Sequence, residues 1–167
     1  MLLQSHIDVL QQAVSLLKEI QTENYQLAMQ PHLSGSIGKH IRHVIDHYLA
    51  LEQGLVDGLV DYNQRHRNSN IEDSPSVALD SLNAIINWLE NITSEQLENS
   101  VTVRSEVSIS GTLNIQGNAT LAREILFVSS HAIHHFSLIS VARSLQGYEV
   151  PQYFGYAPAT ISYLTGR

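Results

Sequence analysis

The chain has 167 residues, no cysteine and a formal net charge of −7, with nine Lys and Arg against sixteen Asp and Glu, and nine His. The missing cysteine excludes a catalytic thiolate, a Cys–zinc site and a disulfide framework, so any thiol chemistry has to come from a bound substrate. The acidic balance and the scattered basic residues argue against a nucleic-acid partner, and this length suffices for one domain, residues 1–167, that buries about 70% of its unfolded surface.

No apolar run approaches the roughly 20 residues of a membrane span, and Met1-Leu2-Leu3-Gln4-Ser5-His6 lacks the basic start and cleavage site of a signal peptide. A cytoplasmic protein with no membrane partner is expected. From Leu2 to about Gln30, Leu3, Ile7, Leu10, Val14 and Leu17 recur in steps of four and three, the seam of a bundle helix, which Pro31 ends. His6 on this helix is structural or solvent-facing. Ser34-Gly35-Ser36 offers an N-cap for a second helix running to about Val60. Ile37, Ile41, Val44, Leu51 and Leu55 form its core edge, and His40, His43 and His47 share a face at i, i+3, i+7. Gly54 and Gly58 either admit a close neighbour or mark fraying.

Asp61 to Ser74 reads as a polar surface connection, with His66 solvated. Ser74-Pro75 starts a third helix with Ala78, Leu82, Ile85, Leu89 and Ile92 on its buried stripe and Trp88 beside it, in the core or an interface. From Asn99 the period changes to two. Val101, Val103, Val107 and Ile109 alternate with polar residues, and Ser110-Gly111 turns the chain into Thr112–Ile115, an irregular hairpin from which Gly117–Thr120 leads on. Thr120 to Leu145, without proline or glycine, is the fourth helix, with Leu121, Ile125, Val128, Ala132, Phe136 and Ile139 on one stripe. The tail from Gln146 to Tyr163 is rich in aromatics, glycine and proline. It is unsuited to a long helix and packs over the end of a bundle, walls a pocket or makes a dimer contact. The fold class is therefore all-α, an antiparallel four-helix bundle with a small hairpin or extended loop between helices three and four.

Six of the nine histidines fall in the second and fourth helices. His131 and His135 are i and i+4, so both imidazoles can reach one ion at the roughly 2.0–2.1 Å of a zinc–nitrogen bond. Alone, such a pair is more often solvated or hydrogen-bonded than metal-bound; a second histidine cluster, from which a third ligand can come, shifts the balance toward metal.

Ser36-Ile37-Gly38-x-x-Ile41-x-His43-Val44-Ile45-Asp46, followed far downstream by Arg123-Glu124-Ile125-Leu126-Phe127-Val128-x-x-His131-x-x-x-His135, resembles the DinB-like (damage-inducible, YfiT-like) superfamily of metalloproteins, in order and helix pattern over nearly the whole chain. The resemblance implies a homodimeric four-helix bundle and a divalent ion, nickel or zinc with iron or manganese as further options, held by His43, His131 and His135, with His47 the alternative to His43 as third ligand. Asp46 and Glu124 become candidate partners of an imidazole N–H. His134, about a quarter turn off the His131–His135 line, is left as a proton carrier. Three imidazoles leave open positions on the metal, the catalytic pattern. The first function expected is activation of a small-molecule substrate, a low-molecular-weight thiol, for S-transfer or isomerisation, with His47 or His134 moving protons. Metal-assisted hydrolysis with Glu124 as base, and a non-catalytic metal- or small-ligand-binding bundle, are the alternatives.

Overall fold

The computed structural model describes residues 2–167, with only the backbone of Leu2. Helix α1 (Leu2–Glu19) buries Ile7, Leu10, Val14 and Leu17 as its spacing predicts, and His6 with them. It does not run on to Gln30: Gln21 is extended, at φ −74° and ψ 145°, and a separate turn α2 (Thr22–Gln26) follows. The reason is tertiary. Tyr25 is fully buried and its hydroxyl donates to the Ile71 carbonyl at 2.6 Å, a contact that a straight continuation of α1 would give up, and such contacts override local helix preference.

Helix α3 (Ile37–Asp57) begins at the expected cap, where Ser36 Oγ accepts from the Lys39 N–H at 3.2 Å. It ends at Gly58, whose φ of 74° makes the left-handed cap that glycine favours. Gly54 serves close approach, since a Cβ there would lie 2.5 Å from Val60 Cγ2. Gly38 is tighter still, because a Cβ would lie 2.0 Å from the Glu72 carbonyl oxygen. That neighbour belongs to α4 (Asn70–Asp73), which lies inside the stretch expected to be an irregular connection. Strand β1 (Leu59–Asp61) takes up Leu59 and Val60, which were expected to end the second helix, and joins that stretch at Asp61. Three- and four-residue elements are too short for a period to register in sequence.

Helix α5 (Pro75–Glu90) starts as predicted, with Ser74 accepting from the Val77 N–H and Pro75 in its first turn. A four-residue helix α6 (Ser94–Leu97), closed by a Thr93/Gln96 capping box, leads to the sheet. Strand β2 (Ser100–Glu106) pairs parallel with β1 and antiparallel with β3 (Asn114–Thr120), Ser100 facing Thr120 and Glu106 facing Asn114. The second strand of the hairpin thus lies later than Thr112–Ile115 and runs straight into the next helix. Most of β3 is exposed, so backbone pairing rather than an apolar alternation defines it.

Helix α7 (Leu121–Leu145) is capped by Thr120, which accepts from the Arg123 N–H at 3.3 Å, and it buries the whole predicted stripe. By length and composition α7 is apolar enough to cross a membrane, contrary to the sequence expectation; here that stripe packs against α1 and α3. The four long helices make a ring in which α1 and α3 each contact both α5 and α7. The chain is thus mostly helical with a three-stranded sheet. The tail straps across α1 and α7. Phe154 stacks on Phe136 with centroids 5.6 Å apart, and Gly155, at φ 72°, donates its N–H to Gln12 at 2.9 Å and accepts from Ser137 Oγ. A Cβ on Gly155 would lie 2.5 Å from the Ser137 nitrogen. The tail closes with a short helix α8 (Pro158–Thr165).

Candidate metal centre

The contact of α3 with α7 brings the two histidine segments face to face. His131 and His135, one turn apart on α7, point their rings at His43 on α3, and the three donor atoms lie within 4.8 Å of one another. The Nε2 atoms converge: His131 to His43 is 2.9 Å and His135 to His131 is 3.2 Å. Donors about 2.05 Å from one ion stand about 2.9 Å apart at right angles and about 3.3 Å apart at the tetrahedral angle. These two separations fall within that interval.

Protonation gives a second test of fit. Burial, with neighbouring cations and rings adding to it, pushes His43 down to about 2, His135 to about 3 and His131 to about 4. All three are neutral at neutral pH, the state a metal ligand requires. His135 turns its Nδ1 to His40 Nδ1 at 2.9 Å, while His40 Nε2 is buried without a partner. If His135 donates to His40, its Nε2 lone pair faces the triad. Three converging ring nitrogens then lack enough protons to pair with one another, and a cation at their meeting point satisfies all of them. The residues fit a divalent ion.

His43 carries one complication. A guanidinium can only donate, so the Arg65 N–H at 3.0 Å from His43 Nδ1 makes that nitrogen an acceptor and leaves the ring proton on Nε2. Ligation through Nε2 requires the proton on Nδ1, with Arg65 displaced from it.

His47 lies behind the triad, 5% exposed. Its Nδ1 donates to the His43 carbonyl at 2.9 Å, which fixes the tautomer and leaves Nε2 as an acceptor. Its ring stacks 4.3 Å from His131 and 5.1 Å from Tyr62. His134 is exposed, 5.3 Å between centroids from His135. Neither Asp46 nor Glu124 hydrogen-bonds to a triad imidazole, contrary to the expectation that they would back one. Asp46 instead accepts from Arg42 at 2.8 Å and from two groups of His66, the ring Nδ1 at 2.8 Å and the backbone N–H at 3.2 Å. It lies on the side of α3 that packs toward α4 and the loop preceding it. The exposed His66 ring is therefore tethered rather than free. Glu124 is buried and accepts from Tyr62 at 2.6 Å and Arg123 at 3.0 Å. His40, Tyr62 and Arg65 are contributors that sequence reasoning did not assign. His40 carried a signal, sharing a helix face with His43; Tyr62 and Arg65 arrive from the strand–loop segment, where no period places them.

The depressed histidines predict the pH response of the metal-free protein. Their folded values lie below the ordinary 6.5, so between the two the unfolded chain binds more protons. Stability is complete above about pH 6.5 and falls as pH drops toward about 4. Melting curves of metal-free protein from about pH 7 to 5 should show that fall, and a His43→Asn/His131→Asn/His135→Asn variant should lose most of it; an equal fall in the variant would contradict the assignment.

No family model matches the sequence. FK506-binding protein 5 of Rhizopus delemar is 23% identical over 162 residues, 97% of this chain but 38% of that protein, so the chain spans well under half of its relative's length. Among solved structures, a DinB-like protein (YjoA) from Bacillus subtilis superposes with a TM-score of 0.64 at 16% identity, over 93% of this chain and 99% of that one. At that identity the likeness speaks for architecture alone; the capacity to hold a metal ion rests on the three-histidine group itself. The chain has the DinB-like fold.

Proposed function

We propose that this protein is a metal-dependent enzyme in which His43, His131 and His135 hold a divalent ion, nickel or zinc, and a low-molecular-weight thiol is activated for transfer to a small electrophile. The four long helices are read as an antiparallel four-helix bundle with the ion between α3 and α7, in a cytoplasmic homodimer. The observation that carries the reading is the convergence of three neutral imidazole nitrogens beside a fourth histidine with a fixed tautomer.

When bound, a divalent ion lowers the pKa of a coordinated thiol or water. His47 Nε2, unprotonated and braced by its Nδ1–H bond to the His43 carbonyl, accepts the thiol proton. His134, exposed beside His135, is the alternative proton carrier. The sulfur then forms a bond to the electrophilic carbon while the leaving group departs with its bonding pair. Metal-assisted hydrolysis is less well served, because the carboxylate of Glu124 is already engaged by Tyr62 and Arg123.

The test follows free cysteine against 1-chloro-2,4-dinitrobenzene with nickel- or zinc-loaded protein. Thiol loss that needs both metal and protein supports transfer, and His47→Gln should lower kcat by about 10²-fold at unchanged metal content. Turnover of ester substrates without thiol would replace this reading by hydrolysis. A metal-dependent rise in melting temperature with neither turnover would leave a binding bundle.

A further inference from the structure

A pocket of about 280 Å³ opens beside the triad, lined among others by His47, Tyr62, Arg65, Arg67, Ser105 and Phe127. Its inner wall is the triad's own surroundings. Arg65 reaches His43, the His47 ring stacks on His131, and Phe127 stacks 6.0 Å from His131. The volume is at the small end for ligand sites.

Charge is the unusual feature. Although the chain is acidic overall, among the described residues every ion pair made by an arginine uses Arg42, Arg104 or Arg123, and none uses Arg65 or Arg67. The hydrogen bond of Arg65 is to a neutral imidazole. Glu106 also lines the pocket but pairs with neither arginine. The segment is anchored, because His66, between the two arginines, is bound through ring and backbone to Asp46, itself clamped by Arg42. Two guanidiniums thus start from a fixed backbone, face a small pocket and lack a counter-ion.

We infer that this pocket is an oxyanion site, in which Arg65 and Arg67 take the carboxylate or phosphate of a small ligand and Tyr62 and Phe127 flank its apolar part. Guanidinium forks suit both groups. On the metal-enzyme reading proposed above, on which this last step rests, the anion orients the substrate with its reacting end toward the triad.

The anion site is tested on metal-free protein, so that it stands or falls apart from the metal. Calorimetric titration with sodium benzoate and with inorganic phosphate, against sodium chloride at matched ionic strength, should give saturable binding of one or both. Benzoate binding more tightly identifies a carboxylate ligand, and phosphate binding more tightly a phosphoryl ligand. In Arg65→Gln/Arg67→Gln the affinity should drop more than about tenfold at unchanged melting temperature, and Arg67→Lys should retain part of it. Neither anion binding above chloride, or binding undiminished in the double variant, overturns the proposal. If zinc loads stoichiometrically while both anions fail, the pocket is refuted and the metal centre stands; if benzoate binds while no metal loads, the pocket stands alone.

Discussion

Stoichiometric loading with a divalent ion, about one per chain, is expected in protein purified without a histidine tag, and it should vanish in His43→Ala and in His135→Ala. Plasma mass spectrometry of the three proteins after incubation with nickel or zinc and gel filtration is the measurement. Each variant removes one of three converging Nε2 donors, so affinity should fall by more than the roughly 10–100-fold typical of losing an outer partner. His40→Ala supplies the internal scale: it deletes the ring facing His135 Nδ1 at 2.9 Å but no donor of the triad, and its loss should stay within that range. Alanine at any of these positions leaves α3 and α7 packed through Ile41, Val44, Ala132 and Phe136, all buried, so the folded state survives to be measured. A wild-type protein that takes up neither metal would remove the three-histidine site.

The parts of this centre differ in how far the sequence discloses them. His131 and His135 are legible from spacing, because residues four apart on a helix share a face whatever surrounds it. The third donor is not. His40, His43 and His47 satisfy the same face criterion, and only the resemblance singled out His43. In the structure His40 meets His135 from outside and His47 stacks behind His131, so the three divide by depth and azimuth, which depend on how α3 crosses α7. Periodicity carries no such information.

The long helices were legible for a related reason. Their stripes are read many times over a dozen or more residues, and Ser36, Ser74 and Thr120 mark their starts. Strand β1 and helix α4 are a single turn or shorter, held by partners far away in sequence. Leu59 pairs with Thr102, and Glu72 is fixed by Arg42. Asp46 shows the same limit for a side chain. Three residues after His43 it could equally face an imidazole or the next layer, and the guanidinium of Arg42 decides for the layer.

That guanidinium is the subject of the largest stability effect expected. Arg42 is buried, and its Nε–H and a terminal N–H each donate at 2.8 Å, the first to Glu72 and the second to Asp46. Both carboxylates are nearly inaccessible, at 8% and 2% side-chain exposure. Arg42→Ala leaves two buried carboxylates without their shared guanidinium, and breaking such a network by removing one partner costs about 3–5 kcal/mol. For a domain of this size each kcal/mol lowers the melting temperature by about 2–4 °C, so thermal and urea unfolding should both register the change plainly. Arg42→Lys should recover only part, because one ammonium cannot reproduce a fork donating in two directions. An Arg42→Leu/Asp46→Leu/Glu72→Met variant should recover much more of the stability, since apolar packing replaces a buried ionic cluster at little or no cost. It should nevertheless lose anion binding at the pocket, because Asp46 is what holds His66, and with it the backbone between Arg65 and Arg67. Stability restored without anion affinity would separate the two roles of the cluster: Arg42 neutralises buried charge for the fold, while Asp46 passes the rigidity of α3 to the loop beside the metal centre. Anion affinity that returned together with stability would show that the loop needs no such anchor.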